Sequence, residues 1–304
     1  MTVHEEQEAA PVWGRWFGLW SFLLVWPRAL LLQVAHPAVS AGVEQHSAYR
    51  EDPWKRAYRT LDQLQRLIYA DPADGAALGR TLRYGHRDMH GTDRHGLRYH
   101  ALQPELFLWV HATYLDSLIT LTELSGTPLT SRERDQLYTE WRTTGRHLGL
   151  REQHLPPDFD AFTAYYATML PILEATPCVE ELLGPATLTP PAFVGRSRVG
   201  TVCWRTLGRL LFPHLIRVTV ALLPSPAATA MGLAAVHPVY RLTARAAALF
   251  LNALPYRLRC MPCAAQTVSN HRAGAHTLPA NAAVPRTRRT RRADIPTITD
   301  RKHP

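Results

Sequence analysis

The stretch RYGHRDMH, residues Arg83 to His90, concentrates cationic side chains within a helix predicted over residues 76–90. Arg83, His86 and His90 stand at positions i, i+3 and i+7, and this spacing places them on one helical face. Burying a guanidinium and two imidazoles is costly unless a partner satisfies them. An iron centre or an anionic ligand would be such a partner, so the stretch predicts a polar site inside a helical fold.

A second polar face is predicted on the preceding helix, in the run WKRAYRTL (54–61). Arg56, Arg59 and Thr60 stand there at positions i, i+3 and i+4. Two such faces on amphipathic helices indicate a buried polar site between helices. The arginines could instead pair with carboxylates, and the candidates are Asp52, Asp62, Asp88 and Asp116.

The apolar spacing of the chain is that of helices almost throughout, so the predicted fold class is all-α. Apolar residues make up 46% of the sequence, which is enough for a single globular multi-helix domain. Pro104 opens a run that is apolar nearly all round and is predicted to be the central buried helix. Thr130 and Glu133 have the spacing of a capping box, which predicts the start of the next helix.

Domain boundaries follow from composition. Residues 1–11 are predicted to be a flexible lead, residues 12–258 the helical domain, and residues 259–304 a disordered basic tail. The net charge of +9 comes mostly from the residues after Leu254, and it is densest in the run Arg286–Arg292. A solvated tail is the favoured interpretation, with contact to nucleic acid or an anionic membrane as the alternative.

Four cysteines in 304 residues are too few for a disulfide scaffold, and the pair Cys260 and Cys263 has no second pair to complete a zinc site. The N-terminus is acidic, unlike a secretory signal. Trp13–Val25 is apolar but contains Arg15 and is too short to span a bilayer. These features predict a cytoplasmic protein. Weak membrane association, through this segment or Leu207–Val236, stays open.

Several stretches resemble a known family in both order and spacing. They are RALLLQVAHPAVSAGVEQHS (28–47), WKRAYRTL (54–61), RYGHRDMHG (83–91), LRYHALQPELFLWVHATYLDS (97–117) and YTEWRTTGRHLGL (138–150). The chain resembles the oxygenase family that includes the latex-clearing rubber oxygenases and the MpaB-type oxygenase of mycophenolic acid biosynthesis. The likeness covers about residues 12–258. It implies a helical fold that encloses a pocket for haem b.

The resemblance also implies roles for individual residues. His86 falls on the axial histidine of the iron, with Arg83 before it. His90 stands where the family pattern has a second arginine. Arg56 and Arg83 are the candidates for binding the haem propionates, because arginine binds carboxylates bidentately. His111, a polar exception on the central helix, is a further cofactor-binding candidate.

On the distal side, the resemblance places Arg59 where the family has a lysine that can bind the iron, followed by Thr60. Guanidinium keeps its proton and has no lone pair to donate, so Arg59 leaves the sixth position of the iron to water, substrate or O2. Glu44 is the nearest candidate for the glutamate that the rubber oxygenases use as a base, although its spacing to Arg56 differs.

Three functions remain open at this point. The first is a haem b-dependent oxygenase that activates O2 and acts on an apolar substrate, for example an alkene or an isoprenoid. The second is a non-haem iron enzyme that uses His86, His90 and His111, although no paired Glu-x-x-His motif is present. The third is a non-catalytic helical protein that binds haem or lipid. Nucleic acid is not an expected partner. The sequence does not define the substrate, electron donor or oligomeric state.

Overall fold

The structure of the protein is a computed structural model, which describes residues 11–70, 72–184, 190 and 197–261. Nearly all of the predicted lead and residues 262–304 of the predicted tail lie outside the described residues. Within them the chain is folded almost entirely into helices, which confirms the predicted all-α class.

The helices occur in the following order. They are α1 (Val12–Phe17), α2 (Trp26–Val34), α3 (Pro37–His46), α4 (Pro53–Tyr69), α5 (Pro72–His86), α6 (Pro104–Leu124), α7 (Ser131–His147), α8 (Phe159–Met169), α9 (Pro177–Leu183), α10 (Arg198–Ala221), α11 (Ser225–Ala230), α12 (Val239–Ala253) and α13 (Tyr256–Arg259). Short 3-10 helices span Trp20–Leu24, Glu152–His154 and Leu170–Ile172, and the strands are β1 (His90–Thr92) and β2 (Arg98–His100).

Helix α6 forms the centre of the core, as its apolar sequence predicts. Leu115, Leu118 and Leu121 have no solvent exposure, and α2, α1, α7 and α12 pack around this helix. The capping box predicted for α7 is present, because Thr130 and Glu133 each accept a hydrogen bond from the other's backbone N–H. The local signals of the sequence therefore define the central helix and the start of the next one correctly.

A buried polar network ties α2 to α6. Arg28 of α2 forms an ion pair with Asp116 of α6, donates to Ser117 Oγ at 2.8 Å and donates through Nε to the Leu222 carbonyl at 2.7 Å. Tyr166 of α8 donates to the same carboxylate at 2.7 Å. Burial alone would lower the pKa of Arg28, but Asp116 and Tyr166 outweigh that effect and raise it.

Helices α4 and α5 are consecutive and contact each other, and α5 packs closely against α7. Gly79 marks the closest approach, because a Cβ there would lie 1.8 Å from the His147 carbonyl oxygen. A Cβ on Gly85 of the same helix would meet no atom within 4 Å. The missing side chain at Gly79 therefore lets α5 lie directly on the end of α7.

We expect Gly79→Ala to lower the free energy of unfolding by about 2 kcal/mol, because a backbone clash cannot be relieved by a rotamer change. Gly85→Ala is the matched control, and it should cost nothing or add stability through helix propensity. Chemical denaturation of both variants measures the difference. Equal stability of the two variants would contradict the close approach of α5 and α7.

The structure corrects the helix predicted over residues 76–90, because α5 ends at His86. His90 begins β1 and pairs with His100 of β2, so it shares no helical face with Arg83 and His86. Strand pairing supplies backbone partners for this segment, and that long-range pairing overrides the local helical pattern.

Residues 92–99 form the end of this antiparallel β-hairpin. Tyr99 of β2 is 4% exposed, and its hydroxyl donates to Gln45 Oε1 at 2.9 Å. A Cβ on Gly91 would lie 2.2 Å from the same Oε1 atom, so a side chain at residue 91 would displace the Gln45 amide where β1 meets α3. The hairpin is thus packed against α3 through Tyr99.

Near the C-terminal end of the described chain, Pro238 stands directly before α12 and separates it from α11. The packed chain extends past the predicted boundary at residue 258. Met261 is 2% exposed and its N–H donates to the Gly18 carbonyl at 2.8 Å. In the described part of the chain, no helix has both the length and the apolar character needed to cross a membrane.

Candidate functional site

The two predicted polar faces lie on consecutive helices that contact each other, with Arg56 and Thr60 on α4 and His86 on α5. Each helix brings a side chain near α6, because the charge of Arg56 acts on Tyr114 and the His86 ring packs against Phe107. Phe107 and Tyr114 are seven residues apart on α6, about 10 Å along its axis, so these two contacts lie two turns apart.

Arg56 is half-buried, and its described partners are hydroxyl groups. Its Nε donates to Ser47 Oγ at 3.3 Å, and its Nη1 donates to Thr60 Oγ1. Burial and the neighbouring charge of Arg59 lower the pKa of the Arg56 guanidinium. Within the part of the chain that the structure describes, Arg56 and Arg59 form no ion pair. Two neighbouring guanidinium groups without a carboxylate form a site suited to an anion.

The acids that could have neutralised Arg56 or Arg83 are engaged elsewhere. Asp52 accepts the Lys55 N–H and caps α4, Asp62 pairs with Arg66, Asp88 with Arg87, and Asp116 with Arg28. The sequence left these pairings open. Among the described residues, none of these four acids pairs with Arg56.

Tyr114 of α6 lies on the inner side of Arg56. The side chain is 3% exposed and stacks on Trp26, with ring centroids 5.7 Å apart. Burial raises the pKa of Tyr114 to about 12, while a hydrogen bond with Gln33 and the charge of Arg56 act in the opposite direction. Sequence reasoning missed this tyrosine, and its only signal was a polar tip on an otherwise apolar helix.

His86 is half-buried at the last residue of α5. Its Nδ1 lies 2.7 Å from the Leu82 carbonyl oxygen, an acceptor, so Nδ1 carries the proton and Nε2 keeps its lone pair. The Phe107 ring packs nearly at right angles to the His86 imidazole, with ring centroids 5.7 Å apart and ring planes at 74°. A histidine whose second nitrogen donates to a backbone carbonyl has the arrangement typical of a metal ligand.

Arg83 is tied to the backbone near the end of α7. Its Nη1 donates to the Gly149 carbonyl at 3.1 Å. Gly149 has a φ of +89°, and a Cβ there would lie 1.8 Å from Arg83 Nη1. Glycine thus supplies both the left-handed backbone and the space that the guanidinium fills. The role of Arg83 as a propionate ligand stays a prediction, and its described contact links α5 to the chain after α7.

The predicted distal residues lie near Arg56 to different degrees. Thr60 is bonded to Arg56, whereas the Arg59 side chain is exposed on the edge of α4. Glu44 of α3 accepts from Ser40 Oγ at 2.6 Å, and its charge acts on Tyr99. The structure therefore brings Thr60 to Arg56, places Arg59 beside it, and shows Glu44 in contacts of its own. The role of Glu44 as a base stays a prediction.

The remaining predicted histidines lie in different surroundings. His90 is exposed on β1, with its ring 6.1 Å from that of His100. His111 is 2% exposed, stacks on Trp141 at 4.7 Å and has Nε2 2.8 Å from the Trp141 carbonyl oxygen. These contacts explain His111 as part of the packing between α6 and α7. Cofactor binding by either residue stays a prediction.

His111 gives the protein a pH-dependent stability. Burial lowers its pKa from 6.5 to about 4, against the opposing hydrogen bond to Trp141. Between those pH values His111 binds a proton in the unfolded chain but not in the folded chain. Stability therefore falls as the pH decreases from about 6.5 to about 4. We expect this loss to be about 3 kcal/mol. Urea denaturation at several pH values in this range measures the free energy of unfolding. This free energy should fall less steeply with decreasing pH in His111→Gln than in wild type, and parallel curves of stability against pH would contradict the prediction.

Two cavities of the described residues lie away from Arg56 and His86. A cavity of about 230 Å³ opens between α7 and the start of α8, and one of about 590 Å³ lies beside α12. Neither is lined by Arg56 or His86. Among the described residues, no three His, Cys, Asp or Glu side chains converge in a way that could hold a metal ion. The non-haem iron alternative therefore has no ligand set there.

Fold and site together define an all-α domain in which Arg56 and Arg59 form no ion pair among the described residues and His86 lies within hydrogen-bond distance of a backbone carbonyl. The sequence model of the family described as "ER-bound oxygenase mpaB/B'/Rubber oxygenase, catalytic domain" matches residues 14–253. The chain belongs to this family, and it is an oxidoreductase of the oxygenase class. Searches of curated proteins and of solved structures found no match.

Proposed function

We propose that the protein is a haem b-dependent oxygenase acting on an apolar substrate, with His86 as the axial ligand of the iron. One observation carries the proposal: His86 Nδ1 lies 2.7 Å from the Leu82 carbonyl oxygen. The neutral imidazole therefore has its proton on Nδ1 and its lone pair on Nε2. An imidazole in this tautomer needs no rearrangement to bind iron.

The described residues also fit the charge of a haem. Its two propionates are carboxylates, and Arg56 and Arg59 are neighbouring guanidinium groups that form no ion pair within the described chain. Binding a propionate would give Arg56 the charge-assisted partner that Ser47 and Thr60 do not supply. The iron and the propionates thus each have a candidate partner, His86 on α5 for the iron and Arg56 on α4 for a propionate.

The chain's own residues would shape the reaction through binding and exclusion. When bound, haem supplies the chemistry that activates O2. Phe107 holds the imidazole of His86 in place, and Arg59 cannot bind iron because it has no lone pair.

Absorption spectroscopy of the purified full chain tests the proposal. We expect a Soret band that shifts after addition of dithionite and CO, and a pyridine haemochrome spectrum of the b type. Oxygen consumption with isoprenoid oligomers then tests the substrate class. Protein that contains iron but gives no Soret band after growth with a haem precursor would contradict the proposal and favour the non-haem alternative.

A further inference from the structure

Helix α10 exposes an apolar stripe to solvent. Leu210 is 63% exposed and Val199 is 72% exposed, and Leu207 lies on the same side of the helix. Eleven of the eighteen large hydrophobic side chains that are exposed in the described residues lie between residues 199 and 258. Exposed apolar residues are normal when scattered, but a concentration of this kind marks an interaction surface.

Neighbouring elements extend the apolar surface. The exposed large apolar residues of α12 are Val239, Leu242, Leu249 and Phe250, and they lie opposite the buried Ala244 and Ala248. Helix α12 packs against α10 and against the 3-10 helix that carries the exposed residues Trp20 and Leu23. A hydrogen bond from Ser21 Oγ to Asn252 Oδ1 at 3.0 Å joins that 3-10 helix to α12.

Helices α10, α11 and α12 carry charge of a single sign. Residues 182–293 contain fifteen Arg and neither Asp nor Glu, and the described residues 197–261 contain eight of those arginines. One acid from another helix lies nearby, because Glu123 Oε2 of α6 is 3.9 Å from Nη2 of Arg241 on α12. On α10, the exposed residues Arg198, Arg205 and Arg209 stand at positions i, i+7 and i+11, which forms one row along the edge of the apolar stripe. A solvated helical surface ordinarily mixes both signs of charge, so an apolar stripe edged by arginines, with no acid on its own helix, favours a partner of opposite charge.

We infer that the exposed faces of α10 and α12 bind the surface of an anionic lipid membrane. The apolar stripes would lie at the boundary between headgroups and acyl chains, while the arginines reach the lipid phosphates. Trp20 suits the same interface, because its ring is apolar with one polar edge. Because α10 and α12 carry no carboxylate of their own, these helices add no repulsion to the contact with anionic lipids.

A second copy of the chain fits this surface less well. A symmetric contact would bring two arginine-edged faces together, and residues 182–293 offer no carboxylate to separate them. A lipid surface supplies the negative charge and the apolar layer in the same place. The inference does not depend on the proposed haem chemistry, since its readout is membrane binding.

Vesicle flotation with the full chain tests the inference. We expect binding to vesicles of phosphatidylcholine with phosphatidylserine and weak binding to phosphatidylcholine alone, with the binding reduced by salt. Arg205→Gln with Arg209→Gln should weaken partitioning roughly thirty-fold, from the usual contribution of an arginine near an anionic surface. Leu210→Glu with Phe250→Glu should also weaken it. The matched controls change exposed residues elsewhere. Ile172→Glu is the control for the apolar residues, and Arg132→Gln with Arg151→Gln is the control for the arginines. Both variants should bind like wild type.

Cys203 allows a direct measurement on the apolar stripe. It is exposed on α10, while Cys178 and Cys260 are buried. A polarity-sensitive fluorophore attached to Cys203 in a Cys263→Ser background should shift its emission to the blue when anionic vesicles are added. Unchanged emission in a vesicle-bound protein would overturn the inference, because the stripe would then remain in water.

Other outcomes also decide against the inference. Equal binding to neutral and anionic vesicles would contradict the role of the arginines. Loss of binding only in the variant Arg288→Gln, Arg289→Gln, Arg291→Gln and Arg292→Gln would assign the interaction to the C-terminal residues instead. A dimer in light scattering that becomes a monomer in Leu210→Glu would assign the surface to contact between copies of the chain.

Discussion

His86→Gly is expected to yield protein without stoichiometric haem, and added imidazole is expected to restore it. The substitution removes the ligand nitrogen and leaves a space in which free imidazole can bind the iron. The His86 side chain is half-buried and bonds only to the Leu82 carbonyl in the described structure, so its loss should spare the fold. The haem to protein ratio and the Soret band, with and without imidazole, measure the effect.

The control for this prediction is His237→Gly, an exposed histidine before α12, which should keep full haem occupancy. Thermal unfolding of the His86→Gly apoprotein separates loss of a ligand from loss of the fold. An unchanged Soret band in His86→Gly would end the assignment of His86. The iron ligand would then have to be sought at His36 or His111.

The central part of the fold follows from local sequence signals. An apolar run without a polar face predicted α6, and the Thr130 and Glu133 pair predicted the start of α7, because both depend on residues within one or two turns. The same logic failed at His90. Residues 90–92 form a strand because they pair with β2, which is a separate segment of the chain. Such pairing leaves no local mark in the sequence of residues 87–90.

Packing at the C-terminal end shows the same limit. Composition predicted that the folded domain ends at residue 258, yet Met261 packs against the backbone of Gly18. Its burial depends on the segment between α1 and the following 3-10 helix, more than 200 residues earlier in the chain. Contacts at such separations are set by the tertiary arrangement, and local apolar periodicity does not report them.

The candidate site was predictable in residue type more than in arrangement. The pattern of Arg56, Thr60 and His86 is visible in the sequence, and the structure joins Thr60 to Arg56 by a hydrogen bond. The sequence could not show that Arg56 pairs with none of the described carboxylates, because four acids were equally available to it. The tautomer of His86 was likewise hidden, since it depends on the Leu82 carbonyl.

Arg28→Met is expected to lower the free energy of unfolding by about 3 to 5 kcal/mol, because it leaves the Asp116 carboxylate without its cationic partner. The Arg28 side chain is 3% exposed, and it also serves Ser117 and the Leu222 carbonyl. Methionine keeps most of the side-chain volume, so the loss reports the polar network and not a cavity. Guanidinium denaturation of the purified variant measures it.

Arg50→Met provides the matched comparison, because Arg50 pairs with Glu181 at the surface with 49% of its side chain exposed. Such exposed pairs contribute at most about 1 kcal/mol, so this variant should remain close to wild type. Adding Asp116→Leu to Arg28→Met should recover part of the lost stability, since it removes the unpaired carboxylate. Equal stability of Arg28→Met and Arg50→Met would show that the network between α2, α6 and α8 does not hold these helices together.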